Sequence, residues 1–84
     1  MPEIHSGHIG FLRIIRDYPG ISPSKLQKIY GITMKTILTR LEELLTMCLV
    51  TKFRKGNRTE YTISDEGIKA IKTWDKTIRE LMRS

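Results

Sequence analysis

Between Ile32 and Gly67 the chain reads ITMKTILTRLEELLTMCLVTKFRKGNRTEYTISDEG, and this succession of periodicities admits few folds. Met34, Ile37, Leu38, Leu41, Leu44, Leu45 and Cys48 recur at i, i+3, i+4 and i+7. That is the stripe of an amphipathic helix, starting at Thr33, whose hydroxyl can cap the first turn, and running to about Met47. The period then drops to two. Leu49, Thr51 and Phe53 alternate with polar neighbours, as do Tyr61 and Ile63, and Lys55-Gly56-Asn57-Arg58 lies between the two runs. A β-hairpin with a basic tip is expected there, with strands over 49–54 and 59–63. Ser64 then caps a helix reaching Met82, with Asp65 and Glu66 in the first turn, where the helix dipole favours acids.

Two further helices precede this block. From about Ser6 to Asp17, Ile9, Phe11, Leu12, Ile14, Ile15 and Tyr18 form a broad apolar arc that stops before Pro19-Gly20. Its breadth predicts two neighbours. Ser22 as N-cap and Pro23 at the first helical position open a short helix through Leu26, Ile29 and Tyr30, which Gly31 closes. Eighty-four residues make one domain with one small core, so the expectation is a core over 5–64 and a C-terminal helix over 65–82.

Charge is partitioned along the chain. Between Ser22 and Arg58 there are eight basic residues against two acidic ones, a local balance of +6, whereas the remainder has seven of each sign. The whole excess therefore sits on the stretch that holds the helix and the hairpin, as in a protein that grips a polyanion. No apolar run approaches the roughly 18 residues a membrane span needs, so no membrane is expected and the location expected is cytoplasmic. Cys48 falls in phase with the apolar helix face, which predicts a buried thiol, with an intersubunit disulfide as the alternative. His5 and His8 lie three apart, yet no Cys, Asp or Glu nearby in sequence completes a ligand set, so no metal and no cofactor are expected. Ser, His and acidic residues show no converging spacing, and the chain is not expected to be an enzyme.

Three helices, a two-stranded wing and a trailing helix make a winged helix-turn-helix: mainly α with a small β-hairpin (α+β), ending in a C-terminal dimerisation helix. Ile32-Thr33-Met34-Lys35-Thr36-Ile37-Leu38-Thr39-Arg40-Leu41-Glu42-Glu43-Leu44 is similar to the I-S-x-K-x-L-x-x-R-L-x-E-L segment of HxlR-type and MarR-like regulators. Leu49-Val50 and Tyr61-Thr62-Ile63-Ser64-Asp65-Glu66-Gly67 resemble the L-V that opens their wing and the Y-x-L-T-x-x-G that closes it. Thr33-Met34 stands where Ser-Pro is usual, and Cys48 where Gly is common. The resemblance implies a dimeric regulator of transcription that binds double-stranded DNA, with the helix over about 33–47 in the major groove and the wing over about 52–59 on backbone or minor groove.

The residues themselves divide by role. Thr36, Thr39 and Arg40 occupy the exposed N-terminal half of the third helix and are expected to contact bases, because arginine can bond guanine bidentately and threonine can touch a thymine methyl. Lys35, together with Ser22, Ser24 and Lys25 at the positive end of the second helix, is expected on phosphates, as are Lys52, Arg54, Lys55, Asn57 and Arg58 of the wing. Phe11, Ile14, Tyr18, Ile71, Trp74, Ile78 and Leu81 widen the apolar arcs of the first and last helices beyond what one small domain needs, and a homodimer interface is expected there. No small-molecule effector is expected. The competing expectation is a winged-helix module that joins a larger assembly through those apolar arcs without reading DNA.

Overall fold

Local capping chemistry sets most element boundaries in the computed structural model, which describes residues 3–83. Helix α1, Ser6–Asp17, opens with reciprocal bonds: His5 Nδ1 accepts from the Gly7 N–H at 3.1 Å, and His8 Nδ1 accepts from the His5 N–H at 3.2 Å. Helix α2, Pro23–Tyr30, starts where Ser22 Oγ accepts from the Lys25 N–H and ends on Gly31 in the left-handed region at φ 66°. Helix α3, Met34–Thr46, starts where Thr33 Oγ1 accepts from the Thr36 N–H. Strands β1, Val50–Lys55, and β2, Arg58–Ile63, pair antiparallel from Val50↔Ile63 to Lys55↔Arg58 across a Gly56-Asn57 turn. Ile21 bridges Tyr61 and adds one residue of a third strand. Helix α4, Asp65–Arg83, is capped by Ser64 Oγ, which accepts from the Gly67 N–H and donates to the Cys48 carbonyl.

The core gathers Ile9, Phe11, Leu12 and Ile15 of α1, Leu26 of α2, Ile37, Leu41 and Leu44 of α3, Val50 and Tyr61 of the wing, and Ile71 of α4. The apolar stripe of α3 is narrower than its sequence pattern. Leu38 is 44% exposed, because the helix rests on the body through the Ile37, Leu41 and Leu44 side alone. Helix α4 is 19 residues long, about 28 Å, in a molecule measuring 49 × 26 × 26 Å. Only its first half touches the core, and Ile78, Leu81 and Met82 are exposed beyond it. No helix among the described residues is long and apolar enough to cross a membrane.

Three expectations are corrected by packing. Cys48 is exposed, not buried, because α3 has already ended: Met47 is the C-cap, and Cys48 follows at φ 60°. The Cys48 N–H bonds the Leu45 carbonyl and the Leu49 N–H bonds the Leu44 carbonyl, a Schellman closure that usually places glycine at the left-handed position. A side chain there is strained by about 1 to 2 kcal/mol, against about 0.5 to 1 kcal/mol for the extra chain entropy of glycine. Cys48→Gly is therefore expected to raise the melting temperature by a few degrees, and calorimetry showing a fall would refute the strain. The wing alternates in the opposite phase on its first strand: Val50 faces the core and Phe53, paired with Glu60, is 53% exposed. Leu49 is buried too, but as the residue closing the helix and not as part of the strand. Last, Phe11 and Ile71 are 1% and 3% exposed within the single chain, so neither has surface left for a second copy. Ile14 and Trp74 are half-buried against the same core, and Tyr18, Ile78 and Leu81 keep exposed surface.

Helix α4 is tied to α1 by a two-pronged pair in which the Arg13 guanidinium donates to both carboxylate oxygens of Asp75. The hydrogen bond from Arg13 holds the Asp75 carboxyl below its usual range, with the charges of Arg13, Arg79 and Arg16 acting the same way. A carboxyl whose folded pKa is depressed adds stability above its unfolded pKa of about 4 and loses it as pH falls through the folded value. Asp75→Asn is thus expected to melt lower than the parent at neutral pH and to close on it in acid, once the pH has fallen through the lowered pKa of Asp75. Parallel melts that stay offset at both pH values would place the effect elsewhere.

Candidate nucleic-acid interface

Helix α3 rests on the core through Ile37, Leu41 and Leu44, which leaves Lys35, Thr36, Thr39 and Glu42 exposed on its outer side. Thr36 Oγ1 lies 2.9 Å from Thr33 Oγ1, so its hydroxyl is engaged with the cap, whereas the Thr39 side chain faces outward. Arg40 is placed differently from its neighbours. Its guanidinium lies 5.4 Å from the Phe11 ring centroid, its Nε is 3.9 Å from Glu43 Oε1, and it passes so close to Gly7 that a Cβ there would collide with it. Tyr30, stacked on Phe11 at 4.6 Å, is raised above its ordinary pKa by burial, with the Arg40 charge opposing the rise. The long side chain of Arg40 is thus folded back over α1, which lets its stem cover apolar surface while its charge stays near a carboxylate.

The wing and the start of α2 meet across two clefts. One, of about 540 Å³, is lined by Ser22, Ser24, Lys25 and Lys28, by Arg58 of the wing and by Asp17. The other, about 480 Å³, joins Ser22, Pro23 and Ser24 to Met34 at the start of α3 and to Asn57, Arg58 and Thr59. Three elements that the sequence separates by up to 36 residues therefore border one surface. Lys28 was missing from the expected phosphate set, although its i, i+3 spacing from Lys25 on α2 was a legible signal. Lys52, Arg54, Lys55, Asn57 and Arg58 are all exposed. Strand alternation puts Lys52 and Arg54 on the side of Val50, and Lys55 on the side of Phe53. Ser22 Oγ is used as the α2 cap, so Ser22 offers an outside anion less than Ser24 and Lys25 do.

Sequence reasoning also missed a cluster beside this face. His8 is fully buried, and its Nε2 lies 3.0 Å from Glu43 Oε1, 35 residues away on α3. His5 stacks on His8 with ring centroids 3.9 Å apart. The expectation of no metal rested on the lack of a Cys, Asp or Glu ligand set nearby in sequence, and the fold brings Glu43 in from α3. A cavity of about 270 Å³ lined by His5, Lys35, Thr36, Thr39, Arg40 and Glu43 opens next to it.

Comparison with solved structures agrees with this architecture. The chain is similar to the PcaV transcriptional regulator of Streptomyces coelicolor in complex with its natural ligand, with a TM-score of 0.84 at 21% identity over 96% of this chain and 60% of that one. It is similar to MepR, a transcription regulator of the Staphylococcus aureus multidrug efflux pump MepA, with a TM-score of 0.83 at 17% identity over 96% of this chain and 62% of that one. The Streptococcus pneumoniae FabT structure in complex with DNA gives 0.80 at 15% identity, covering 96% of this chain and 59% of that one. The chain thus spans about three fifths of the length of these proteins, and likeness at such identities establishes the winged-helix fold. One of the three holds a ligand, so the expectation of no effector gains no support from them. No family model matches the chain, and no curated protein matches it in sequence.

Proposed function

We propose that this chain, on the winged-helix fold it shares with MarR-type regulators, is a soluble intracellular transcription regulator that binds double-stranded DNA as a homodimer. The observation that carries the proposal is the convergence of the α2 start, the α3 start and the wing tip around Ser24, Lys25, Lys28, Asn57 and Arg58, beside the exposed Lys35, Thr36 and Thr39. Helix α3 enters the major groove, where Thr36 and Thr39 are short enough to let the backbone come close to base edges. Lys35, Lys25 and Lys28 neutralise phosphates alongside, and Lys52, Arg54, Lys55, Asn57 and Arg58 carry the wing along the backbone. Arg40 reaches a base only after leaving Phe11 and Glu43, so its contact is conditional on a rearrangement.

The exposed apolar end of α4, with Ile78, Leu81 and Met82, and the exposed Tyr18 at the end of α1 supply the surface for pairing two copies. That same end favours a second reading, a module that docks into a larger assembly and reads no DNA. Selection of bound duplexes from a random pool separates the two. Enrichment of a palindrome with half-sites about 10 base pairs apart, or a multiple of that, is the result expected of a dimer with one reading helix per copy. A pool that never enriches would overturn sequence-specific binding and leave the docking module.

A further inference from the structure

The His5, His8 and Glu43 cluster is not used by the DNA-binding surface, and its chemistry is specific. His8 is the only buried polar or charged side chain among the described residues, and both of its ring nitrogens are engaged. Because Nδ1 accepts from the His5 N–H, the ring proton sits on Nε2 and is donated to Glu43. His5 Nδ1 likewise accepts from Gly7, so its Nε2 carries the ring proton, on an exposed ring that can turn and shift it. One ligand atom from each of the three residues falls within 4.8 Å of the other two, and the His8 to Glu43 pair is at 3.0 Å. A tetrahedral zinc with bonds near 2.0 Å places its ligands about 3.3 Å apart, so closing the site asks the exposed His5 ring to move by up to about 1.5 Å and the His8 to Glu43 pair to open slightly.

We propose that His5, His8 and Glu43 bind a divalent transition metal of the zinc class, with solvent from the adjoining 270 Å³ cavity completing the coordination. Two imidazoles and one carboxylate with an open position suit such ions better than calcium or magnesium, which prefer all-oxygen shells. On binding, both imidazoles stay neutral: each ring proton passes from Nε2 to Nδ1, the ion takes the two Nε2 lone pairs, and the bonds from the His5 and Gly7 backbone N–H groups are given up to water. Lys35 and Arg40 line the same cavity and oppose a cation, so affinity rests on the three ligands. Once Glu43 holds the ion, its attraction for Arg40 is weakened, and α1 is clamped to α3 through the metal. Any effect on DNA would rest on the reading above, whereas metal binding itself does not.

The test is a Co²⁺ titration of the full chain without DNA, followed by the visible absorption of low-symmetry Co²⁺, then displacement with Zn²⁺. A saturable signal at one equivalent, lost with Zn²⁺ and weakened at least about tenfold in both His5→Ala and Glu43→Gln, is expected. Both replaced residues keep solvent exposure, so circular dichroism should show the fold intact, whereas His8→Ala would empty a fully buried site. Zn²⁺ should also raise the melting temperature of the parent and not of Glu43→Gln. The absence of a saturable signal would overturn the site, and so would equal affinity in the two variants and the parent.

Discussion

Replacing Gly67 with alanine is expected to lower the melting temperature by about 8 to 16 °C. Gly67 is buried in the first turn of α4, where an added Cβ would strike the Leu49 carbonyl oxygen and come within 2.6 Å of Ile63 Cγ1. The Leu49 carbonyl cannot retreat freely, because it accepts from the Ser64 N–H at 3.0 Å at the point where the wing hands over to α4. Overpacking of this kind costs about 1 to 3 kcal/mol, and the helix preference of alanine over glycine returns about 0.5 to 1 kcal/mol. Because the clash is with backbone, the cost falls at the upper end of that range, and the net loss of about 2 kcal/mol corresponds to that shift in a domain of this size, at roughly 4 to 8 °C per kcal/mol. Glu66→Ala, one residue earlier and exposed, should change little and serves as the control. Were Gly67→Ala to melt with the parent, α4 would not approach the wing as closely as the packing indicates.

Neutralising Lys55 and Arg58 together is expected to weaken DNA binding about thirtyfold at about 0.15 M salt. Each phosphate contact adds about 0.9 to the slope of log affinity against log salt, so losing two lowers the slope by about 1.8 and scales affinity accordingly. Both side chains are exposed and directly opposed at the end of the hairpin, so the fold should melt unchanged while the slope falls. Thr39→Ala, by contrast, should weaken the preferred duplex relative to random DNA and leave the slope in place, since a base contact carries discrimination and little charge. An unchanged slope in the double variant would take the wing out of the interface.

Much of the architecture was legible because its signals are local. Ser22, Gly31, Thr33 and Ser64 mark helix ends through hydrogen bonds that reach only a few residues, and all four occupy the boundaries they suggest. The Gly56-Asn57 turn sets the hairpin for the same reason. Cys48 was misplaced even though the signal was present: glycine is common at that position in the similar segment, and glycine there marks a left-handed closure and not a helical turn. The phase of β1 followed from this, since the closure ends the helix on Leu49 and starts the strand at Val50.

Periodicity and spacing alone determined that this chain makes four helices and a basic hairpin in winged-helix order, and that its positive charge concentrates between Ser22 and Arg58. Which faces are used was decided only by tertiary packing. A helical wheel shows that Phe11 and Ile71 are apolar but not that α1, α4 and the wing close over them, and it cannot show that Arg40 bends back to Phe11 or that Glu43 meets a histidine 35 residues away. The physical reason is range. Backbone hydrogen bonds and side-chain period act over one or two turns, whereas burial and charge pairing depend on which distant segment comes to lie alongside.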